Sequence, residues 1–414
     1  MTLDQGTRVE WSAQPGIRAV CLTPGYAPAA TFGGPIESAH GLNRALLAQG
    51  VQVRVLTTDI GQAPEKRRAD GDGWDWHEGI PVRYCRRYWP GSLSPAFAAN
   101  VPDVLAHADI AHIAGTFAFT PLVGALACLS SGTPFVVSPR GTLEPWCLAH
   151  KRWKKMPALA LLRPLLNRAT AIHATSEKEA MALLELRLDP PVVVIPNGVD
   201  LSATSGIEDC GSQWRERLGV PRDAPLLLML GRIHYVKGID IALEALVAIR
   251  AKWRQAVLAL VGPDSEGYGT TIDNLAERLG IASAVKRVGF VGGTEKFQLL
   301  AEADLLLLPS RQENFGNVVV EALSMRTPVV ASSNTPWKGL EEHQCGRWGA
   351  FDAVTLAEAV NELLSEPGRR KGMGERGRAL VARQYTWGSI AESMRQVYAA
   401  CIAGERPLPH EFCP

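Results

Sequence analysis

The sequence predicts an α/β protein built from two doubly wound, Rossmann-like domains facing a central cleft. Three observations predict it. Short continuous apolar runs alternate with longer helical patterns along the chain. The alternation falls into two series separated by a turn-rich stretch. The length, 414 residues, suits two domains at ~100–200 residues each. Continuous Leu-rich or β-branched runs joined by helical segments indicate parallel strands covered by helices on both faces.

In the first series the runs 17–22, 51–56, 110–113, 135–138, 169–174 and 192–195 read as strands. The stretches 36–49, 122–129 and 177–188 read as helices between them. Residues 59–79 are charged and Gly-rich and read as an exposed loop. The second series has strands at 226–230, 256–261, 285–288, 305–308 and 329–331, with helices at 239–250, 272–279, 294–302 and 318–323. Between the series, Pro196-Asn197-Gly198 is a turn, a polar stretch follows, and Pro221 and Pro225 precede the next strand. The expected division is therefore an N-terminal domain over 1–195 and a C-terminal domain over 196–385. In 386–414 a helical stretch from Trp387 is followed by a tail.

Composition excludes several classes. Lys plus Arg number 43 against 42 Asp plus Glu, for a net charge of +1 with 46% apolar residues. That balance excludes a chain disordered throughout and a basic nucleic-acid-binding domain. The eight cysteines (21, 85, 128, 147, 210, 345, 401, 413) form no Cys-x-x-Cys, and no His pair has zinc spacing. The chain therefore reads as reduced and cytoplasmic. Residues 1–16 lack the apolar segment of a secretory signal. No run approaches the ~18 apolar residues of a membrane span.

Three loops carry candidate chemistry. Thr31-Phe32-Gly33-Gly34-Pro35-Ile36 follows the first strand and opens a helix, where glycines let backbone amides approach an anion. Gly231-Arg232-Ile233-His234-Tyr235-Val236-Lys237-Gly238 follows the strand 226–230. Arg and Lys at that sheet edge can clamp a diphosphate, Arg through two parallel bonds and Lys as a point charge. Glu313-Asn314-Phe315-Gly316-Asn317-Val318 leads into a helix holding Glu321. A loop carboxylate there can accept hydrogen bonds from sugar hydroxyls, and one just inside the helix can do so from a ribose. Asp70-Gly71-Asp72 has the spacing of a metal-bound nucleotide site, but no strand ends beside it. It reads as a solvated turn, and no essential metal or other cofactor is expected.

These pieces occur in order with Asp109-Ile110-Ala111-His112, Ile195-Pro196-Asn197-Gly198-Val199-Asp200, and Val288-Gly289-Phe290. The ordered set, spanning about 17–400, resembles the retaining glycosyltransferases of family four, which have the two-domain GT-B architecture. Ser138-Pro139-Arg140-Gly141-Thr142-Leu143 and Asn334-Thr335-Pro336-Trp337 are similar to members that build bacterial surface polysaccharides. The resemblance implies roles by position. Arg232 and Lys237 would contact the donor diphosphate and stabilise it as it leaves. Glu313 would bind donor-sugar hydroxyls, assisted by amides of Asn314, Phe315, Gly316, Asn317 and Val318. Glu321 would hold the ribose, and Val288, Gly289 and Phe290 would flank the base. Gly33 and Gly34 would face the diphosphate or the acceptor, and His112 would lie near the reacting sugar. Arg140, Asn197 and Gly231 complete the implied substrate-binding set. Many relatives carry a second His two residues after the first, where this chain has Ala114.

The implied activity is sugar transfer with retention from a UDP- or GDP-sugar to a saccharide or lipid-linked saccharide, in exopolysaccharide or O-antigen synthesis. No nucleophile stands out, so front-face substitution with the leaving phosphate as base is expected. In 140–168, seven cations face one Glu, interleaved with Trp146 and Trp153. Such a stretch can lie on anionic headgroups, so peripheral contact with the inner membrane leaflet is expected, and nucleic-acid binding is not. Two other classes remain open at this level: a nucleotide-sugar epimerase and a non-catalytic nucleotide-binding assembly factor.

Overall fold

The computed structural model describes residues 11–12, 15–29, 33–61, 73–88, 93–204, 206–207, 213–264 and 267–407. Thr31, Phe32, Asp70-Gly71-Asp72, Cys210 and the tail from 408 lie outside them. The chain divides into two units, Met1–Asn197 with Trp387–Cys413, and Gly198–Thr386.

The first unit holds strands β1 (Arg18–Leu22), β2 (Gln52–Thr58), β3 (Asp75–His77), β4 (Ile80–Cys85), β5 (Ile110–Ala114), β6 (Phe135–Ser138), β7 (Ala171–Ala174) and β8 (Val192–Val194). They form one sheet ordered β3-β4-β2-β1-β5-β6-β7-β8. All pairings are parallel except β3 with β4. The loop expected over 59–79 is corrected here. Asp75–His77 pairs with β4 as an antiparallel edge strand, and its polar, partly exposed residues hid it from any apolar pattern. The helix Gly34–Ala48 carries Pro near its start, where a missing N–H costs no hydrogen bond. Its apolar face (Ile36, Ala39, Leu42, Leu46) packs on the sheet together with Ile390, Met394, Val397 and Tyr398 of the helix Trp387–Ala403. Among the described residues no helix is long and apolar enough to cross a membrane.

The second unit holds β9 (Leu226–Leu230), β10 (Val257–Val261), β11 (Val285–Gly289), β12 (Leu305–Leu308), β13 (Val329–Ser332) and β14 (Gly346–Gly349). They form a wholly parallel sheet in the order β11-β10-β9-β12-β13-β14. The strand order reverses at β9/β12, the position where open α/β sheets bind ligands at their carboxyl edge. Two apolar layers cover this sheet, one on each face. Both units are thus doubly wound, Rossmann-like folds.

Candidate active site

In the second unit the chemistry gathers on the loops leaving β9 and β12. After β9 the backbone turns at Gly231, whose N–H donates to the Val261 carbonyl at 2.8 Å. His234 Nδ1 then accepts from Val236 N–H at 3.1 Å and caps a single 3-10 turn, Tyr235–Lys237. Gly238 follows at φ 67° and starts the helix Ile239–Lys252. A Cβ on Gly238 would overlap the Pro309 carbonyl, so the two loops meet backbone to backbone. Arg311 fastens them. Its N–H donates to the Val236 carbonyl at 2.8 Å, and its guanidinium donates to both Asp240 oxygens at 2.8 and 2.6 Å. The same guanidinium lies 4.2 Å from the centre of the Tyr235 ring.

This framework presses Lys237 against Glu313. Lys237 Nζ donates to Glu313 Oε2 at 2.6 Å, with 20% and 14% of the two side chains exposed. Ser310 Oγ donates to the same oxygen at 3.4 Å. Gly316, at φ 82°, caps the helix Asn317–Ser324, so the first-turn amides from Asn317 and Val318 carry the partial positive charge of a helix N-terminus. Phe315 anchors the loop. It is buried, its ring lies 5.2 Å from Trp337, and its carbonyl accepts from Trp337 Nε1–H. Asn314 sits half-buried between Glu313 and Phe315.

Beside this lies a cavity of about 320 Å³ lined by Ile233, Leu260, Gly262, Pro263, Asp264, Arg287, Val288 and Gly289. Val288 and Gly289 therefore fall on a cavity wall, whereas Phe290 is 51% exposed and lies outside that lining. Arg232 is exposed and makes no ion pair among the described residues. Glu321 is buried and accepts from Lys296 Nζ at 2.9 Å. Lys296, on the helix Gly293–Glu302, escaped the sequence reading because a single Lys in an amphipathic helix reads as a solvated face.

The first unit places its predicted residues differently. Gly33, at φ 73°, caps the helix that Gly34 opens. Asn197 is buried where the unit ends. Arg140 follows β6 at φ 53° and donates to Ser38 Oγ, while its Nε has no hydrogen-bond partner. Glu179 holds that loop: its carboxylate accepts from Gly141 N–H at 2.5 Å and from Thr175 N–H at 2.8 Å.

His112, expected near the reacting sugar, lies buried in the first unit. It is 5% exposed, and both ring nitrogens are occupied within the unit. Burial, then the neighbouring His173 and Arg140, hold its pKa well below the ordinary value. Burial lowers His173 to about 4. Both rings are therefore neutral at pH 7, and their tautomers follow from their partners. His173 Nε2–H donates to the Ile195 carbonyl at 2.7 Å, so its Nδ1 accepts from the Ser138 hydroxyl at 2.6 Å. Ser138 Oγ then accepts from His112 Nε2–H at 2.6 Å, and His112 Nδ1 accepts from the Tyr398 hydroxyl at 2.7 Å. The imidazole is part of a one-directional buried chain from the last helix across β5, β6 and β7. Both of its ring nitrogens are engaged in that chain.

Two Rossmann-like units, with a cation–carboxylate pair and a glycine-capped helix at the switch point of the second, are the components of the GT-B architecture. Residues 32–203 match the family model described as Glycosyltransferase Family 4, and residues 212–380 match the one described as Glycosyl transferases group 1. A D-inositol 3-phosphate glycosyltransferase of Xylanimonas cellulosilytica is 30% identical over 405 residues, covering 95% of this chain and 86% of that protein. Another so named, from Kineococcus radiotolerans, is 32% identical over 56% of this chain and 58% of its own length. The crystal structure of Anabaena HepE in complex with UDP superposes with a TM-score of 0.73 at 22% identity, over 93% of this chain and all of that one. The chain belongs to the family-four-like GT-B glycosyltransferases.

Proposed function

We propose that this protein transfers a sugar, with retention, from a UDP- or GDP-sugar to a saccharide or lipid-linked saccharide at the cytoplasmic membrane face, in bacterial exopolysaccharide or O-antigen synthesis. The observation that carries the proposal is the Lys237–Glu313 pair at the carboxyl edge of β9 and β12. A nucleoside diphosphate is a good leaving group, so the site needs positive charge rather than a strong general acid. In this reading the donor diphosphate draws Lys237 from Glu313, Arg232 adds its exposed guanidinium, and Glu313 turns to the sugar hydroxyls. The amides at Asn317 and Val318 face the same anion. Glu321, held by Lys296, meets the ribose, and the Val288–Gly289 wall meets the base. No resident metal takes part.

Peripheral membrane contact fits the helix Arg152–Leu166, which exposes Trp153 (75%) and Leu161 (83%) among its cations. A second acceptor reading, a small phosphorylated polyol, is favoured by Arg140 Nε, which lacks a partner, and by the names of the relatives above. The test is calorimetric binding of UDP and GDP, with and without Mg²⁺, followed by turnover of the bound nucleotide's sugar donor with oligosaccharide or inositol phosphate acceptors. Metal-independent binding of one nucleotide and acceptor-dependent turnover support the proposal. Isomerised donor without acceptor would instead identify an epimerase, and binding without turnover an assembly factor.

A further inference from the structure

A second constellation lies in the first unit, apart from every residue used above. His40 sits largely buried on the helix Gly34–Ala48, His77 ends β3, and Glu78 begins the turn into β4. Among the described residues this is the one group of three His, Cys, Asp or Glu side chains whose ligand atoms all lie within 4.8 Å of one another. His40 Nε2 is 3.2 Å from Glu78 Oε2, and the His40 and His77 rings are 4.8 Å apart between centres. The Tyr26 hydroxyl, 3.2 Å from His40 Nδ1, turns the ring so that Nε2 faces Glu78. Glu78 has φ 48°, which lets its side chain fall on the same side as that of its neighbour His77.

We propose that His40, His77 and Glu78 bind a divalent transition-metal ion of the zinc class, which ties the β3–β4 edge hairpin to the helix opened by Gly33 and Gly34. Two imidazoles and one carboxylate are a ligand set that zinc takes with a further position left to water. For His40 to ligate through Nε2 its proton resides on Nδ1, and the Tyr26 oxygen is placed to accept it. An outer partner of this kind is the usual support of a ligating imidazole. Arg44 selects against harder ions. Its Nη1 donates to Glu78 Oε2 at 3.0 Å, so the site's net charge is too small to hold Mg²⁺ through charge alone, whereas imidazole nitrogens suit zinc, copper and nickel. The ion would be a cross-link of the first unit. It stands independently of the transfer reaction, in which no metal is invoked. Sequence spacing hid the site because its ligands come from a helix and a hairpin far apart in the chain.

The test uses the full-length protein, stripped by chelator and titrated with Zn²⁺ against a chromogenic chelator. One equivalent is expected to bind, Mg²⁺ not to compete, and the Tm to rise with Zn²⁺. His77→Ala and Glu78→Gln, both on the edge hairpin, are expected to weaken binding at least tenfold and to remove the Tm response. Arg44→Gln is expected to tighten it several-fold. Failure to bind one equivalent, or affinity unchanged in His77→Ala and Glu78→Gln, overturns the site. Affinity unchanged in Arg44→Gln overturns the role given to Arg44 in tuning the site.

Discussion

Lys237 is the side chain on which the proposed reaction depends most. Losing one positioned charge-stabilising donor typically costs ~2.7–4 kcal/mol of transition-state stabilisation. Lys237→Ala is thus expected to lower turnover about a hundredfold or more and to weaken nucleotide binding; steady-state kinetics near wild type would remove Lys237 from the site. The buried imidazoles make a different prediction. His173 titrates at about 4 in the folded protein and near 6.5 when unfolded. Between these values the unfolded chain takes up a proton that the folded one refuses. Stability is therefore full above pH ~6.5, falls as pH drops, and levels off below about 4, with His173 contributing a loss of about 3 kcal/mol. His112 adds to the loss in the same direction. Unfolding followed at pH 7 and pH 5 checks this, and His173→Gln should flatten the dependence. Glu313, Lys237 and the glycines were legible because they sit in one loop each. The His112–Tyr398 bond was not, because its partners come from the two ends of the first unit and only the folded chain joins them.

Continuous apolar runs were readable, even at the edges β8 and β11, whereas β4, broken by Pro81 and Arg83 inside its sheet, and the polar edges β3 and β14 were not. β9 and β12 are unbroken Leu-rich runs because helices cover both faces. β14, Gly-Arg-Trp-Gly at the sheet's margin, carries no such run and was not among the strands read, and β3 lay in the stretch read as a loop. The Lys296–Glu321 pair joins two neighbouring helices, and each side chain is about one-tenth exposed. Removing one partner of a buried pair leaves an uncompensated charge at ~3–5 kcal/mol. Lys296→Ala should therefore lower the denaturant midpoint of the second unit. A change within experimental error would mean that Glu321 is solvated after all. At the helix Arg152–Leu166, the double variant Trp153→Ser with Leu161→Ser is expected to abolish co-sedimentation with anionic vesicles while leaving transfer to a soluble acceptor intact. Vesicle binding equal to wild type would move the membrane face elsewhere.

At the scale of the molecule, cations and carboxylates nearly cancel, so the proposed membrane contact rests on the cations of that helix and not on net charge. Raising salt from ~0.1 to ~1 M shortens the screening length from ~10 to ~3 Å, and should release the protein from vesicles; salt-insensitive binding would point to apolar insertion as the main force. The two-unit plan was legible from the two series of strands, but the chemistry shared between elements within each unit was not. The helix Trp387–Ala403 has one more consequence. It supplies Ile390, Met394, Val397 and Tyr398 to the core of the first unit, although the whole second unit is encoded before it. During synthesis the first unit emerges early yet lacks a wall until the last helix leaves the ribosome. The second unit, born later, has its last element out by Thr386, before that helix, and can close first. Order of birth and order of completion are thus reversed, and a ribosome stalled short of Trp387 would hold a finished second unit beside an unfinished first one.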